Sequence, residues 1–553
     1  MWFVRLVTCS LGLTLILGDD EVTLDIAQGT LKGLKTTTVY HGMTMYSFKG
    51  IPYAKPNVGP NKFQAPQAAD GWSGVLDATK HGSSCVYFCD VQQKVVGDDD
   101  CLFLNVYTPG PDAEAKRAVM LFIHGGGFNH GSGDDSFYGP DFLIERDVVV
   151  ITLNYRLGLT GLLSTGDENA PGNAGSKDQV MALKWIQNNI ENFGGSPSRV
   201  TILGQSSGGS SVMYHMMSPM SAGLFSRAIM QSGTALNPWA LVYDGKDRAM
   251  KVAEQLGIHA SDTADLVKKL AEIPTHDIVK ATREASNQLG FLRGEFFFFS
   301  PVVEPDVGQE IFLPSNPWEL IKSKKYADVP VMIGITAQEA GLFTNPMLKM
   351  PLEIEDHLDM FLPKELNMTD PEMIKQTTDM IKQFYFDGKK IDLSTIMDLT
   401  EFVSDSIFNA AIGIASKIMN SQNTSPVYQY YFNFHGAIGL SKPYYDSIDV
   451  VCHSDDMAYE FYSHDLKNLP QPGSREEKMT NEFVELWTNF AKTGDPSSSM
   501  EVTKVKWEPM GDEGNYLEMS DEFELKKSII SKRLGLWSKI FMNVLGDHYK
   551  LFN

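Results

Sequence analysis

The stretch "TILGQSSGGSSV", Thr201–Val212, places two serines side by side among glycines at the point where a buried apolar run gives way to a helical one. The run just before it, "RVTILG", reads as a strand, and "SVMYHMMSP" just after it reads as a helix. Within the junction, Gly204-Gln205-Ser206-Ser207-Gly208 fits G-x-S-x-G. A strand-to-helix turn this tight leaves no room for side chains at its flanks, so glycine is required there, and the central serine is pushed out above the sheet in a strained backbone conformation. Register makes that serine Ser206, the centre of the G-x-S-x-G pattern, whereas Ser207 heads a frame that runs to Ser210-Ser211.

The flanking segments extend the pattern. "AVMLFIHGGGF" is an apolar strand that breaks at glycines, and "DVVVITLNYRLG" is a second buried strand with continuous hydrophobics, as expected when both faces of a sheet are covered. "DQVMALKWIQNNIENFGG" puts Met181, Trp185, Ile186 and Ile190 on one helical face and stops at Gly194-Gly195. Strand, helix, strand, tight turn, helix is the order of an α/β protein with a doubly wound, mostly parallel sheet. No linker and no internal repeat interrupts it, so residues 19–553 are expected to form one domain.

A serine hydroxyl attacks a carbonyl only if a base takes its proton, and the resulting oxyanion needs donors already in place. "IHGGGFNHGSG" supplies candidate donors after a buried strand: the backbone N–H groups of Gly126 and Gly127, together with that of Ser207, are expected to form an oxyanion hole. The base and its carboxylate partner are not fixed by this pattern, since the chain has 12 histidines.

Composition narrows the function classes. The 553 residues carry a formal charge of −22, with 43% hydrophobic and 21% charged residues, and the pI is near 5.0. Such a surface repels phosphates, which argues against nucleic-acid or anionic-membrane partners. Residues 1–18 carry one early charge at Arg5, an apolar run from Leu6 to Leu17, and Gly18 before acidic residues. That order predicts a cleaved signal peptide and a secreted protein, and the run is shorter than the roughly 20 apolar residues of a membrane span. Of the five cysteines, Cys9 falls in this segment; Cys85, Cys89 and Cys101 are spaced for one local disulfide with a thiol left over. Asn367 and Asn423 begin Asn-x-Ser/Thr sequons and are candidate glycan sites.

"FKGIPYA", "DDDCLFLNVYTP", "HGGGF", "NYRLG", "APGNAGSKDQVMALKWIQNNIENFGGSP", "GQSSGG" and "MSPMSAGLFSRAIMQSG" occur in the order found in type-B carboxylesterases. From Val22 to near the C-terminus the chain resembles that cholinesterase-related branch of the α/β-hydrolase fold, with wording closest to insect esterases such as the juvenile hormone esterases. The resemblance implies a central doubly wound sheet flanked by helices, large helical insertions and a small N-terminal sheet. It implies that Glu339, in "VPVMIGITAQEAGLF", and His453, in "VVCHSDDMAYEF", complete a Ser206, Glu339, His453 triad. It further implies a Cys85–Cys101 disulfide, with Cys89 and Cys452 outside any bridge and Cys452 open to thiol reagents, a Lys62–Asp99 contact, an Arg156–Asp178 ion pair, and Phe297 or Phe299 in an acyl pocket.

The implied reaction is hydrolysis of an uncharged lipophilic ester without metal or cofactor, with a small-molecule ester as partner and no stable membrane anchor. No tryptophan lies between Cys85 and Cys101, and Gln205 stands where the choline-binding members have glutamate, so a quaternary-ammonium substrate is disfavoured. Gln205 matches the elbow of juvenile hormone esterases, which makes that activity the specific alternative. A binding or adhesion homologue is the alternative from another class, with a sequestering esterase of slow turnover as its related variant.

Overall fold

The computed structural model describes residues 20–289, 297–348, 354–439 and 449–546. The expected signal segment, 1–18, lies outside them. Fifteen strands are described: β1 (Asp20–Ile26), β2 (Gly29–Thr37), β3 (Thr44–Pro52), β4 (Val75–Asp77), β5 (Tyr87–Cys89), β6 (Lys94–Val96), β7 (Phe103–Thr108), β8 (Arg117–Ile123), β9 (Val149–Leu153), β10 (Gly195–Gln205), β11 (Arg227–Gln231), β12 (Val331–Thr336), β13 (Val427–Phe432), β14 (Asn515–Met519) and β15 (Phe523–Lys527). Their main sheet runs β1-β2-β3-β7-β9-β8-β10-β11-β12-β13-β14-β15, with β4 beside β2, and β5 pairs with β6 as a separate antiparallel sheet. Neighbours from β9 through β14 are parallel, and the strands outside that stretch pair antiparallel apart from β2 with β4.

The continuous hydrophobics of the central strands have the anticipated cause. Along β8, Val119, Leu121 and Ile123 join one core while Ala118, Met120 and Phe122 join the other, so successive side chains fill opposite faces. β9 divides the same way, with Ile151 and Leu153 on one side and Val150 on the other. The helix Ala174–Asn189 covers the first face with Val180, Leu183, Trp185 and Ile186, then ends where Gly194 takes φ 81°. The helix Arg475–Thr493 covers the second with Phe483, Leu486, Trp487 and Phe490, its Phe483 and Trp487 rings stacked at 3.7 Å. Fully burying one such side chain is worth about 1.5–3 kcal/mol, so both layers are held by area rather than by any single contact.

Two buried ion pairs set the loops around this sheet. Arg156 meets both carboxylate oxygens of Asp178, at 2.8 and 2.6 Å, as expected. Lys177 and Asn173 both donate to Glu304, at 2.7 and 2.9 Å. Lys62 departs from expectation: its ammonium donates to the Ile273 carbonyl at 2.5 Å and feels Asp99 only as a longer-range charge. Lysine lacks the planar two-pronged geometry of arginine, and its compact ammonium takes the carbonyl beside it.

Cys85 and Cys101 form the disulfide, which closes a loop holding β5 and β6. Cys89 is half-buried, and neither it nor Cys452 is disulfide-bonded. Cys452 is 0% exposed, so the expected access to thiol reagents is wrong: its side chain packs where Gly341 lacks one.

Candidate active site

Ser206 follows β10 directly and precedes the helix Ser207–Met217. Its backbone stands at φ 61°, ψ −126°, a conformation costly for any residue with a Cβ. The cost is met by backbone pairing on both sides, since Ser206 N–H donates to Gln231 O at 2.8 Å and Ser206 O accepts from Ser210 N–H at 3.0 Å. The glycines are required by contact: a Cβ on Gly208 would lie 2.0 Å from Ile123 O, one on Gly204 2.5 Å from Gly208 C, and one on Gly233 1.9 Å from Ser206 O.

Glu339 follows β12 and is 0% exposed. One carboxylate oxygen accepts from Thr336 N–H at 2.8 Å, and the other lies 2.6 Å from His453 Nδ1. His453 backbone N–H also donates to Glu339 O at 3.3 Å, so both the ring and the backbone of His453 are tied to Glu339. The carboxylate at Nδ1 puts the ring proton there and leaves the Nε2 lone pair available. Gln205 Nε2 lies 3.1 Å from that Nε2.

The glycine loop adopts backbone that favours glycine, with Gly126 at φ 103° and Gly127 at φ 60°. Among the described residues, neither N–H donates to a protein acceptor. The N–H of Ser207 begins a helix and has no intrahelical acceptor. The Ser207 hydroxyl accepts from Phe128 N–H at 3.2 Å and ties the glycine loop to the serine turn. His124 is no rival base: its ring is stacked on Tyr155 at 4.4 Å, its Nδ1 faces Gly125 O at 2.8 Å, and burial pushes it down to about 4.

Phe297 lies against Gly127, where a Cβ would meet its ring at 2.2 Å, and packs on Trp239. It also walls a cleft of about 270 Å³ shared with Phe88, Asn129, Leu157 and Arg283. Phe299 is 1% exposed and packs on Phe298, inside the core. Asn367 is exposed, whereas Asn423 accepts from Tyr326 O–H at 2.6 Å and its side-chain nitrogen is enclosed.

Three features were not read from the sequence. A π-helical turn, Asp405–Asn409, lays the Phe408 ring on His453 at 4.6 Å and offers Ile407 O to Trp239 Nε1–H at 2.7 Å. Such a turn has no periodic signal, although its association with functional sites is general. The Gln205 contact is the second. The third is a buried carboxyl layer beside Glu339: Tyr430 O–H donates to Asp456 at 3.1 Å, and Gln231 Nε2–H donates to Glu460 at 2.9 Å. Burial pushes both acids up, Glu460 to about 8, and the Glu339 charge adds to the effect on Asp456.

Each of these acids keeps its proton when folded at a pH where the unfolded chain has lost it. Stability therefore falls as pH rises from about 4.5 toward 8. Glu460→Gln should flatten that fall by a few kcal/mol at most. Thermal melts of both proteins at pH 5 and pH 8.5 check it; an equal gap between the proteins at both pH values would contradict it.

An imidazole paired with a carboxylate and touching Gln205 of the serine turn, together with unpartnered N–H donors, is a set of groups suited to acyl transfer. The sequence model of the carboxylesterase family matches residues 20–537. The chain belongs to the carboxylesterase family. It is a carboxylic ester hydrolase with an α/β-hydrolase fold. It is 36% identical over 480 residues to Esterase E4 of Myzus persicae, covering 83% of this chain and 84% of that protein. It is 34% identical over 535 residues to juvenile hormone esterase of Tribolium castaneum, covering 89% of each. The crystal structure of juvenile hormone esterase from Manduca sexta, with OTFP covalently attached, superposes with a TM-score of 0.83 at 28% identity, covering 94% of this chain and all of that one.

Proposed function

We propose that this carboxylesterase hydrolyses uncharged lipophilic esters through a Ser206, His453, Glu339 triad and an acyl-enzyme. The observation that carries the reading is the 2.6 Å contact between Glu339 and His453, which orients a base toward the strained serine turn. His453 Nε2 takes the Ser206 proton as Oγ attacks the ester carbonyl. The oxyanion is held by the N–H groups of Gly126, Gly127 and Ser207. The imidazolium returns its proton to the departing alcohol, and water activated by the same ring then releases the acid.

A neutral substrate is supported by the disulfide loop. Its Phe88 ring already carries the Arg283 guanidinium at 3.6 Å, and Arg283 pairs with Asp90 at 2.8 Å. That aromatic face is occupied by the protein's own cation. A quaternary ammonium would enter an apolar site without that compensating contact, a desolvation cost of about 2 kcal/mol or more, so kcat/KM for a neutral ester should exceed that for its choline isostere by about 30-fold or more. A turnover panel of matched neutral and choline esters checks this, and equal values would overturn it.

Juvenile hormone is the specific alternative, favoured by Gln205 and by the Tribolium and Manduca relatives. Adding it to the panel separates a general from a dedicated esterase. A burst of one equivalent followed by negligible turnover would mark a sequestering protein. The chain from residue 19 is read as one secreted domain, supported by the disulfide and by a core cluster running from Ile26 to Leu545. Among the described residues, no helix is long and apolar enough to cross a membrane. Asn367 is the favoured glycan site.

A further inference from the structure

Gln205 closes β10, and its side-chain Nε2 lies 3.1 Å from the imidazole Nε2 of His453 in a site where Gln205 is 5% exposed. Proton placement leaves one way to make this contact attractive. Glu339 takes the ring N–H at Nδ1, so Nε2 presents a lone pair and the Gln205 amide must donate to it. That lone pair is also the only one that can receive the serine proton. Once it does, both ring nitrogens are donors, and the amide N–H faces another N–H. A half-turn of the amide brings Oε1 to the new N–H. Space for that turn exists because Gly125 has no side chain: a Cβ there would stand 3.1 Å from Gln205 Oε1.

We propose that Gln205 is a positioning residue for proton transfer: its amide N–H holds the Nε2 edge of neutral His453 until the Ser206 O–H takes that lone pair, and its carbonyl shares the imidazolium N–H with Ser206 Oγ until the departing alcohol receives the proton. The proposal rests on the triad reading. In the step it serves, the Ser206 O–H bond breaks, the Nε2–H bond forms, and the Oγ electron pair goes to the ester carbonyl carbon. Among the described residues, Glu339 lies at the Nδ1 edge of His453, the Phe408 ring lies on its face, and the turn that follows carries Asp455, Asp456 and Glu460, of which Asp456 acts on the ring by charge. To these neighbours Gln205 adds a neutral amide that can both donate and accept.

The test is the pH profile of kcat/KM for the full chain on a neutral aryl ester, with organophosphate titration to count competent sites. Gln205→Glu keeps the acceptor and adds a charge, which favours the imidazolium; the acid limb should move up by about 1–2 pH units. Gln205→Met removes both hydrogen bonds without charge; kcat should fall about tenfold with the limb little moved and KM nearly unchanged. If both variants titrate fully and their profiles and kcat superimpose on the parent, the Gln205 role is overturned while the triad stands. If the parent chain neither turns over ester nor takes up organophosphate at Ser206, the triad reading fails and this proposal with it.

Discussion

Ser206→Ala should lower kcat for a simple aryl ester by about 10⁴–10⁶-fold while leaving the melting temperature close to that of the parent. The methyl group fits the space of the hydroxymethyl, and the bonds that hold the turn are made by the backbone of residue 206, not by its side chain. The residual rate should be that of a site still able to bind ester and polarise its carbonyl through Gly126, Gly127 and Ser207. The same variant should bind ester with nearly unchanged affinity, since Oγ contributes to the attack rather than to the grip. A steady-state assay with an active-site titration checks both parts. Retention of more than about a tenth of the activity would assign the chemistry elsewhere.

Glu339→Gln should cost about 10⁴-fold in kcat, although it changes one atom and removes no contact by length. Thr336 N–H donates to one side-chain oxygen of Glu339, and this buried donor requires an acceptor. A glutamine at 339 therefore turns its carbonyl to Thr336 and its NH₂ to His453. That NH₂ can only donate, so Nδ1 must offer its lone pair and the ring proton moves to Nε2. The base then carries a proton on the nitrogen that should accept one. Glu339→Asp, which keeps the charge but shortens the reach, should recover part of the loss. A Gln variant as active as the parent would show that tautomer control by Glu339 is not needed.

How far the sequence went depends on how local each signal was. The turn around Ser206 and the glycine loop were legible because close approach forbids any residue but glycine at 204 and 208 in the first and at 126 and 127 in the second. The parallel centre of the sheet was legible in the unbroken hydrophobics of β8 and β9, which follow from burial on both faces. The proposed partners of Ser206 were not legible in that way. Glu339 and His453 are 114 residues apart in sequence, and it was the resemblance of their segments to those of type-B carboxylesterases that singled them out. Phe408 and the Asp456–Glu460 layer had no signal at all, because a ring on a base and a carboxyl kept neutral by burial arise from packing between distant elements. Lys62 and Cys452 went astray for a related reason: family position placed them, but burial chose their neighbours.

Formation of the covalent intermediate at one serine, Ser206, is read out by intact-mass and peptide-mass measurement after treatment with an organophosphate ester. One phosphoryl adduct per chain is expected, located on the peptide containing Gly204-Gln205-Ser206-Ser207-Gly208 and absent from Ser206→Ala. An adduct on another residue, or ester turnover at the parent rate by the unlabelled Ser206→Ala protein, would contradict it.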